Sequence, residues 1–345
     1  MNHLKKIAGA ILALLMTLCI MALSVTACAN LSGGPGGGAA IIFTTPVKYR
    51  EMVLATPSVD STVTITGNAA YDASDNDTLF SSGRTVILSP FKIAKYETTY
   101  ELWYEVYQWA TDVARGANGY IFANPGREGK DGTDGAAPTA AKLEPVTTIN
   151  WRDAIVWCNA YSEMSGKEPV YYTDTSYGTV LRISTNDSGT GTAADTARMK
   201  STANGYRLPT EAQWEYTARG GGTPSTSGSF ADTWAGTNTK AGLTNYAWYS
   251  VNSGSTTNAV GGRTANTLGL HDMGGNVWEW CWDWYGSTGG TGEEDTNPAG
   301  ANSGTDRVLR GGSWNGSASS CAVSFRDLNY PGYGYYDLGF RVVCP

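Results

Sequence analysis

Apolar residues recur at helical spacing in only a few stretches of this chain. Over 97–116, Leu102, Trp103, Val106, Ala110 and Val113 fall on one side of a helix, a stripe that predicts burial. Over 150–166, Asn150 precedes the periodic run as an N-cap and Gly166 ends it, with Ala154, Ile155, Cys158 and Tyr161 sharing a face. Over 209–221, Thr210 and Gln213 have the spacing of a capping box, and the glycines at 220–222 stop the helix. Short strands fit 85–97, 307–312 and 339–344, separated by Gly-, Thr- and Ser-rich loops, notably 124–142 and 184–204. Few helices, short strands and much irregular chain predict an α+β fold. No linker, charge block or apolar span interrupts the chain after residue 50, so a single domain is expected over 50–345.

Composition narrows this picture. Of 345 residues, 41% are apolar and 16% charged, which suits a sizeable core and excludes a disordered chain. Glycine (43), Tyr (20) and Trp (12) are abundant, as expected of a loop-heavy domain whose gaps are filled by rings. The net charge of −7 disfavours nucleic acid as a partner.

The first residues read as a targeting segment. Lys5 and Lys6 precede an apolar run over 7–23, and "SVTAC" sets small residues before Cys28. This resembles a bacterial lipobox, which implies a signal peptide over 1–27, lipid on Cys28 and a Gly-rich tether and lead-in over 28–49. The location expected from it is the bacterial outer membrane or cell surface. Cys19 leaves with the signal, so Cys158, Cys281, Cys321 and Cys344 remain; in an exported chain they favour disulfides, with three pairings open.

Five stretches, in order, carry a resemblance: "KYETTYELW", "PVTTINWRDAIVWCNAYS", "GYRLPTEAQWEYTARGG", "LGLHDMGGNVWEWCWDWYG" and "RVLRGGSW…LGFRVV". Together they resemble the formylglycine-generating-enzyme family, which implies an elaborated C-type lectin fold over nearly all of the mature chain. Enzymes of that family oxidise a sulfatase cysteine with a copper-binding cysteine pair. The matching positions are Gly316 and Cys321, and one thiol cannot supply two-thiolate copper coordination. No catalytic residue or catalytic cofactor is therefore expected, and the cysteine-oxidase reading is disfavoured. The resemblance also implies a structural calcium held by Asp272 and Glu279 with the carbonyls of Gly275 and Val277. The alternative is that Asp272 and Glu279 cap turns or pair with arginines. Cys158–Cys344 and Cys281–Cys321 are the disulfides it favours. A calcium-dependent glycan binder is a further alternative, although the "EPN" and "WND" motifs are missing.

A second resemblance concerns the end of the chain, "NYPGYGYYD" over 329–337. Proteins diversified by adenine-mutagenesis retroelements carry a variable region at the end of this same fold, and randomised AAC codons cannot encode Lys, Glu, Gln, Met or Trp. None of those five types occurs over 315–338, whereas Trp314 lies just before it. The implied variable positions are Asn315, Gly316, Ser317, Ser319, Ser320, Asp327, Leu328, Asn329, Tyr330, Gly332, Tyr333, Tyr335, Tyr336 and Asp337, with Phe325, Arg326, Phe340 and Arg341 as framework. Tyrosines among small polar residues give large contact area at low rotamer cost. The reading is a lipid-anchored, receptor- or adhesin-like surface protein binding an external protein or glycan.

Overall fold

The computed structural model describes residues 43–71, 78–185, 192–222, 228–288 and 294–345. The expected signal peptide, Cys28 and the tether up to residue 42 lie outside the described residues.

The helices are α1 (Tyr100–Thr111), α2 (Trp151–Met164), α3 (Glu211–Ala218) and the single turn α4 (Lys240–Leu243). The first strands are β1 (Met52–Leu54), β2 (Val63–Thr66), β3 (Thr85–Leu88), β4 (Lys92–Ala94), β5 (Arg127–Glu128), β6 (Val146–Thr147), β7 (Tyr171–Tyr172) and β8 (Arg198–Met199). They are followed by β9 (Trp278–Trp284), β10 (Glu294–Thr296), β11 (Arg307–Arg310), β12 (Arg326–Asn329), β13 (Leu338–Gly339) and β14 (Val343–Cys344). The α+β class therefore holds, in short pieces.

The sheet that matters for function runs β12-β11-β9-β13. Its strands β12, β11 and β9 are antiparallel, and β13 joins β9 in parallel. A second sheet, β1-β4-β14, ties the lead-in to the C-terminus; a third runs β10-β3-β2, with β10 parallel to β3. Two small ribbons, β5–β6 and β7–β8, brace the loops.

Each main helix starts where its cap predicts. The Thr99 hydroxyl accepts from the Leu102 amide of α1, Asn150 and Asp153 close a capping box on α2, and Thr210 and Gln213 close one on α3. Leu102, Trp103, Val106 and Ala110 are buried as the stripe requires, but Val113 is 94% exposed. The reason is local: Asp112 accepts from the Ala114 amide at 2.9 Å and starts a separate 3-10 turn, so the stripe ends early. Helix α2 is buried around its circumference, Glu163 excepted, rather than on one face. Trp157 in α2 stacks on Trp103 in α1 with 5.7 Å between ring centroids, and Phe340 stands edge-on to both.

The two expected disulfides are corrected. No disulfide joins Cys158, Cys281, Cys321 or Cys344, all of which are buried. Cys281 belongs to the cluster around Trp214 and Val308, whereas Cys321 sits in a separate small cluster with Leu243, Ala247 and Tyr249. Cys158 and Cys344 share the large cluster, where burial drives the Cys158 thiol well above its ordinary range. The sulfurs fill space as small apolar groups.

Candidate functional site

The end of the chain rests on buried ionic groups. From α3, Glu211 accepts from Arg326 Nε and Nη2 at 2.6 and 2.8 Å, fixing β12 to the helix. One turn on, Glu215 accepts from Arg310 at 2.5 Å and Arg219 at 2.8 Å. Burial alone would raise the Glu215 carboxyl, but Arg219 and Arg310 outweigh it and hold it below its ordinary value. Arg307 is sandwiched between Trp151 and Trp284, its guanidinium carbon 3.6 and 3.3 Å from the ring centroids. Burial lowers that guanidinium to about 9. As expected of framework, Arg326, Phe340 and Arg341 are buried, and Phe325 packs on Trp278.

On this frame the backbone of 313–338 is held at several points, and part of its side chains are exposed while the rest are buried. The Gly316 carbonyl accepts from the Ser250 amide at 3.0 Å and the Ala318 carbonyl from Trp234 Nε1 at 2.6 Å. The Tyr335 carbonyl accepts from the Thr148 amide at 2.9 Å, and the Asp337 carbonyl from the Trp278 amide at 2.8 Å. Tyr330, Tyr333 and Tyr335 are 49%, 42% and 40% exposed, and Leu328 40%. Asn315, Ser317 and Ser319 are exposed too, while Gly316, Ser320, Asp327, Asn329, Gly332, Tyr336 and Asp337 are half-buried. Within the same segment Ala318, Cys321, Ala322, Val323 and Leu338 are buried.

The rings form a connected row. Tyr333 stacks on Tyr335 at 5.6 Å, Tyr335 lies 3.9 Å from Tyr336, and Tyr336 lies 5.7 Å from Trp314. The hydrogen bond that the Tyr336 hydroxyl makes to Tyr335, then burial and nearby charge, push that hydroxyl up to about 12. Strand β12 is the edge of its sheet, and two of its side chains shield it. Asp327 accepts from the Leu328 amide at 2.8 Å and Asn329 from the Tyr330 amide at 2.9 Å. Gly332 has less freedom than a variable position needs: a Cβ there would lie 2.8 Å from Arg152 Nη1.

The expected calcium loop has a partner that sequence reasoning missed. Asp272 and Glu279 are buried together with Glu97, and all three carboxylates act on the single guanidinium of Arg341. Glu279 takes Arg341 Nε and Nη2 at 2.7 and 2.6 Å and Trp214 Nε1 at 2.8 Å. Glu97 accepts from Asn276 Nδ2 at 2.6 Å and the Val277 amide at 3.2 Å. Asp272 accepts from the Gly261 amide through Oδ2, and its buried Oδ1 has no partner. Burial drives the Glu97 carboxyl well up, helped by Asp272 and Glu279; burial also raises Asp272 to about 6. Among the described residues no three His, Cys, Asp or Glu side chains converge as metal ligands. Glu279 is thus held by an arginine, as the alternative reading expected, and Asp272 Oδ1 is the buried oxygen of this group without a hydrogen-bond partner.

At the positions matching the copper pair, Gly316 has no side chain and Cys321 is buried, its thiol pushed up to about 12 by burial. Such a thiol does not ionise near neutral pH. Sequence reasoning also missed the supports at the edge of the ring row. Arg152 grips Asp195 at 2.7 Å through two nitrogens and donates to the Tyr330 hydroxyl at 2.9 Å. Lys130 lies 5.0 Å over Trp314. Nothing local marks these residues, because Arg152 at the start of α2 and Lys130 in a loop are brought to this surface only by the fold.

Comparison with known proteins agrees with this architecture. The sulfatase-modifying factor enzyme 1-like domain matches residues 50–345. Among solved structures, Treponema denticola variable protein 1 is similar over 85% of this chain and 95% of its own, at 35% identity and a TM-score of 0.63. A chaperone protein LppX of Paenibacillus barcinonensis is 32% identical over 284 residues, 76% of this chain and 82% of that protein. The formylglycine-generating enzyme of Thermomonospora curvata is 29% identical over 282 residues, 75% of this chain and 83% of the enzyme. The chain belongs to the sulfatase-modifying factor enzyme 1-like family.

Proposed function

We propose that this protein is a non-catalytic variable protein that binds an external partner through the tyrosine-rich surface formed by 315–338. The observation that carries the reading is a row of accessible rings held on a pinned backbone over a buried ionic frame. Side chains that stand clear of the core can change without disturbing it. The likeness to Treponema denticola variable protein 1 supports the same reading. The cysteine-oxidase alternative lacks its first thiol at Gly316 and has a buried, protonated second one at Cys321.

In this reading the domain is tethered from a lipid anchor at Cys28, and the described chain enters it at Phe43. Phe43 packs edge-on against Tyr161 near the end of α2, and the Thr45 amide donates to Glu105 at 2.9 Å. Arg152, at the start of the same helix, holds Tyr330, so lead-in and surface are about 13 Å apart along the helix axis. A calcium ion held by Asp272 Oδ1 with the Gly275 and Val277 carbonyls, balanced by Glu97 and Glu279, would brace the scaffold rather than touch the partner.

The deciding experiment is to sequence the neighbouring DNA and sibling isolates. The reading expects a near-copy of the segment encoding 315–338 that differs only at adenines, beside a reverse transcriptase, with changes confined to exposed positions. Changes scattered evenly along the chain, and no such copy, would overturn it.

A further inference from the structure

Cations already sit on two rings of this surface, Trp314 at one end of the ring row and Tyr330 outside it. Lys130 lies 5.0 Å over Trp314, and the Arg152 guanidinium lies 5.1 Å from the Tyr330 ring centroid. Each has its own acid: Asp131 lies 3.5 Å from Lys130, and Asp195 is bidentate with Arg152 at 2.7 Å. The middle of the row is different. Tyr333 and Tyr335 are exposed and stack on one another, and no cation lies over either ring among the described residues. Asp337 acts on Tyr336, the next ring of the row, and Asp327 acts on Asp337. Asp337 accepts from Ser313 Oγ at 3.3 Å and Asp327 from the Leu328 amide at 2.8 Å, and neither has an ion-pair partner among the described residues. The two carboxylates act on one another, and burial together with that repulsion raises Asp337.

We propose that the centre of this surface accepts an arginine-bearing segment of a partner protein, its guanidinium packed against the exposed side of the Tyr333–Tyr335 stack and its charge met by Asp327 and Asp337. The inference rests on the display reading and adds the chemistry of the partner. Arginine is favoured over lysine because its planar, weakly hydrated head stacks on rings and forks onto carboxylates. The overall charge of −7 draws a basic segment in rather than repelling it.

The test is a titration of the whole mature protein, its tyrosine rings isotope-labelled and assigned, with a Gly-Arg-Gly-Arg-Gly peptide and with its glutamate counterpart. The arginine peptide should shift the Tyr333 and Tyr335 ring signals, more weakly as salt rises, and the glutamate peptide should leave them in place. Asp327→Asn combined with Asp337→Asn should weaken the arginine response about fivefold while the thermal midpoint stays near wild type. Rings unmoved by the arginine peptide, an equal response to the glutamate peptide or to a neutral oligosaccharide, or undiminished binding by the double variant would overturn the proposal. None of those outcomes touches the adenine pattern expected in neighbouring DNA, so the display reading fails or survives separately.

Discussion

Arg341→Met probes the load on the scaffold at its most buried charge. Arg341 lies in the interior, bidentate on Glu279 at 2.7 and 2.6 Å. Its remaining donors reach the carbonyls of Ala94 (3.2 Å), His271 (3.0 Å) and Asp272 (3.3 Å). Methionine fills much of the same volume but supplies no charge, so Glu279, Glu97 and Asp272 are left as buried carboxylates without a counter-ion. Breaking a buried pair costs about 3–5 kcal/mol, and each buried carbonyl that loses its donor adds to this. Total stability for a domain is roughly 5–15 kcal/mol, so the variant should be near the edge of folding. Urea denaturation followed by tryptophan fluorescence, with EDTA present, measures the midpoint and slope. Adding Glu279→Gln, which retains an acceptor for Trp214, should return about 2 kcal/mol, a coupling visible in the double-mutant cycle. A loss below about 1 kcal/mol for Arg341→Met, or no recovery in the double variant, would refute the frame described above.

Other consequences are simpler to test. Gly275 has φ of +77° and its missing Cβ would run into the Trp248 carbonyl, so Gly275→Ala should cost roughly 3 kcal/mol or more in a urea titration. Cys158, Cys281, Cys321 and Cys344 should resist a thiol reagent in the native protein and appear as four thiols in denaturant without reductant, beyond any signal from Cys28. Fewer would mean that bridges form. Tyr330→Phe should cost about 1 kcal/mol or less by thermal denaturation, because Arg152 keeps its 2.7 Å grip on Asp195. Burial, then the charge of Glu211, pushes the Asp283 carboxyl up to about 7. The fold thus binds that proton more tightly than the unfolded chain, and stability falls as pH rises from about 4 to about 7. Asp283→Asn should flatten that fall, measured as urea midpoints at about pH 5 and about pH 8.

Much of this was legible from local chemistry. The caps Asn150 and Thr210 name their helix starts because the capping contacts are made within four residues. The pair Asp327 and Leu328 was legible as surface, and Arg326 and Arg341 as framework. The strand β9 was not: "WEWCWDW" alternates rings with two acids and a cysteine, yet most of it is buried on both faces. Its polar side chains are paid for by partners far along the chain, Arg341 for Glu279 and the Glu211 amide for Asp283. Glu97 and Arg152 were missed for the same reason. The disulfides failed because an even count of cysteines constrains pairing chemistry, not where the fold places each sulfur.

The central claim is that a fixed frame carries a replaceable surface, and a folding-selected library measures it directly. One pool randomises Asn315, Ser317, Ser319, Leu328, Tyr330, Tyr333, Tyr335 and Tyr336; the other randomises Glu211, Glu215, Arg310 and Arg326 to the same codon set. After selection for protease resistance, the first pool should keep nearly all of its diversity and the second should collapse to the residues present here. Equal depletion of the two pools would contradict the account.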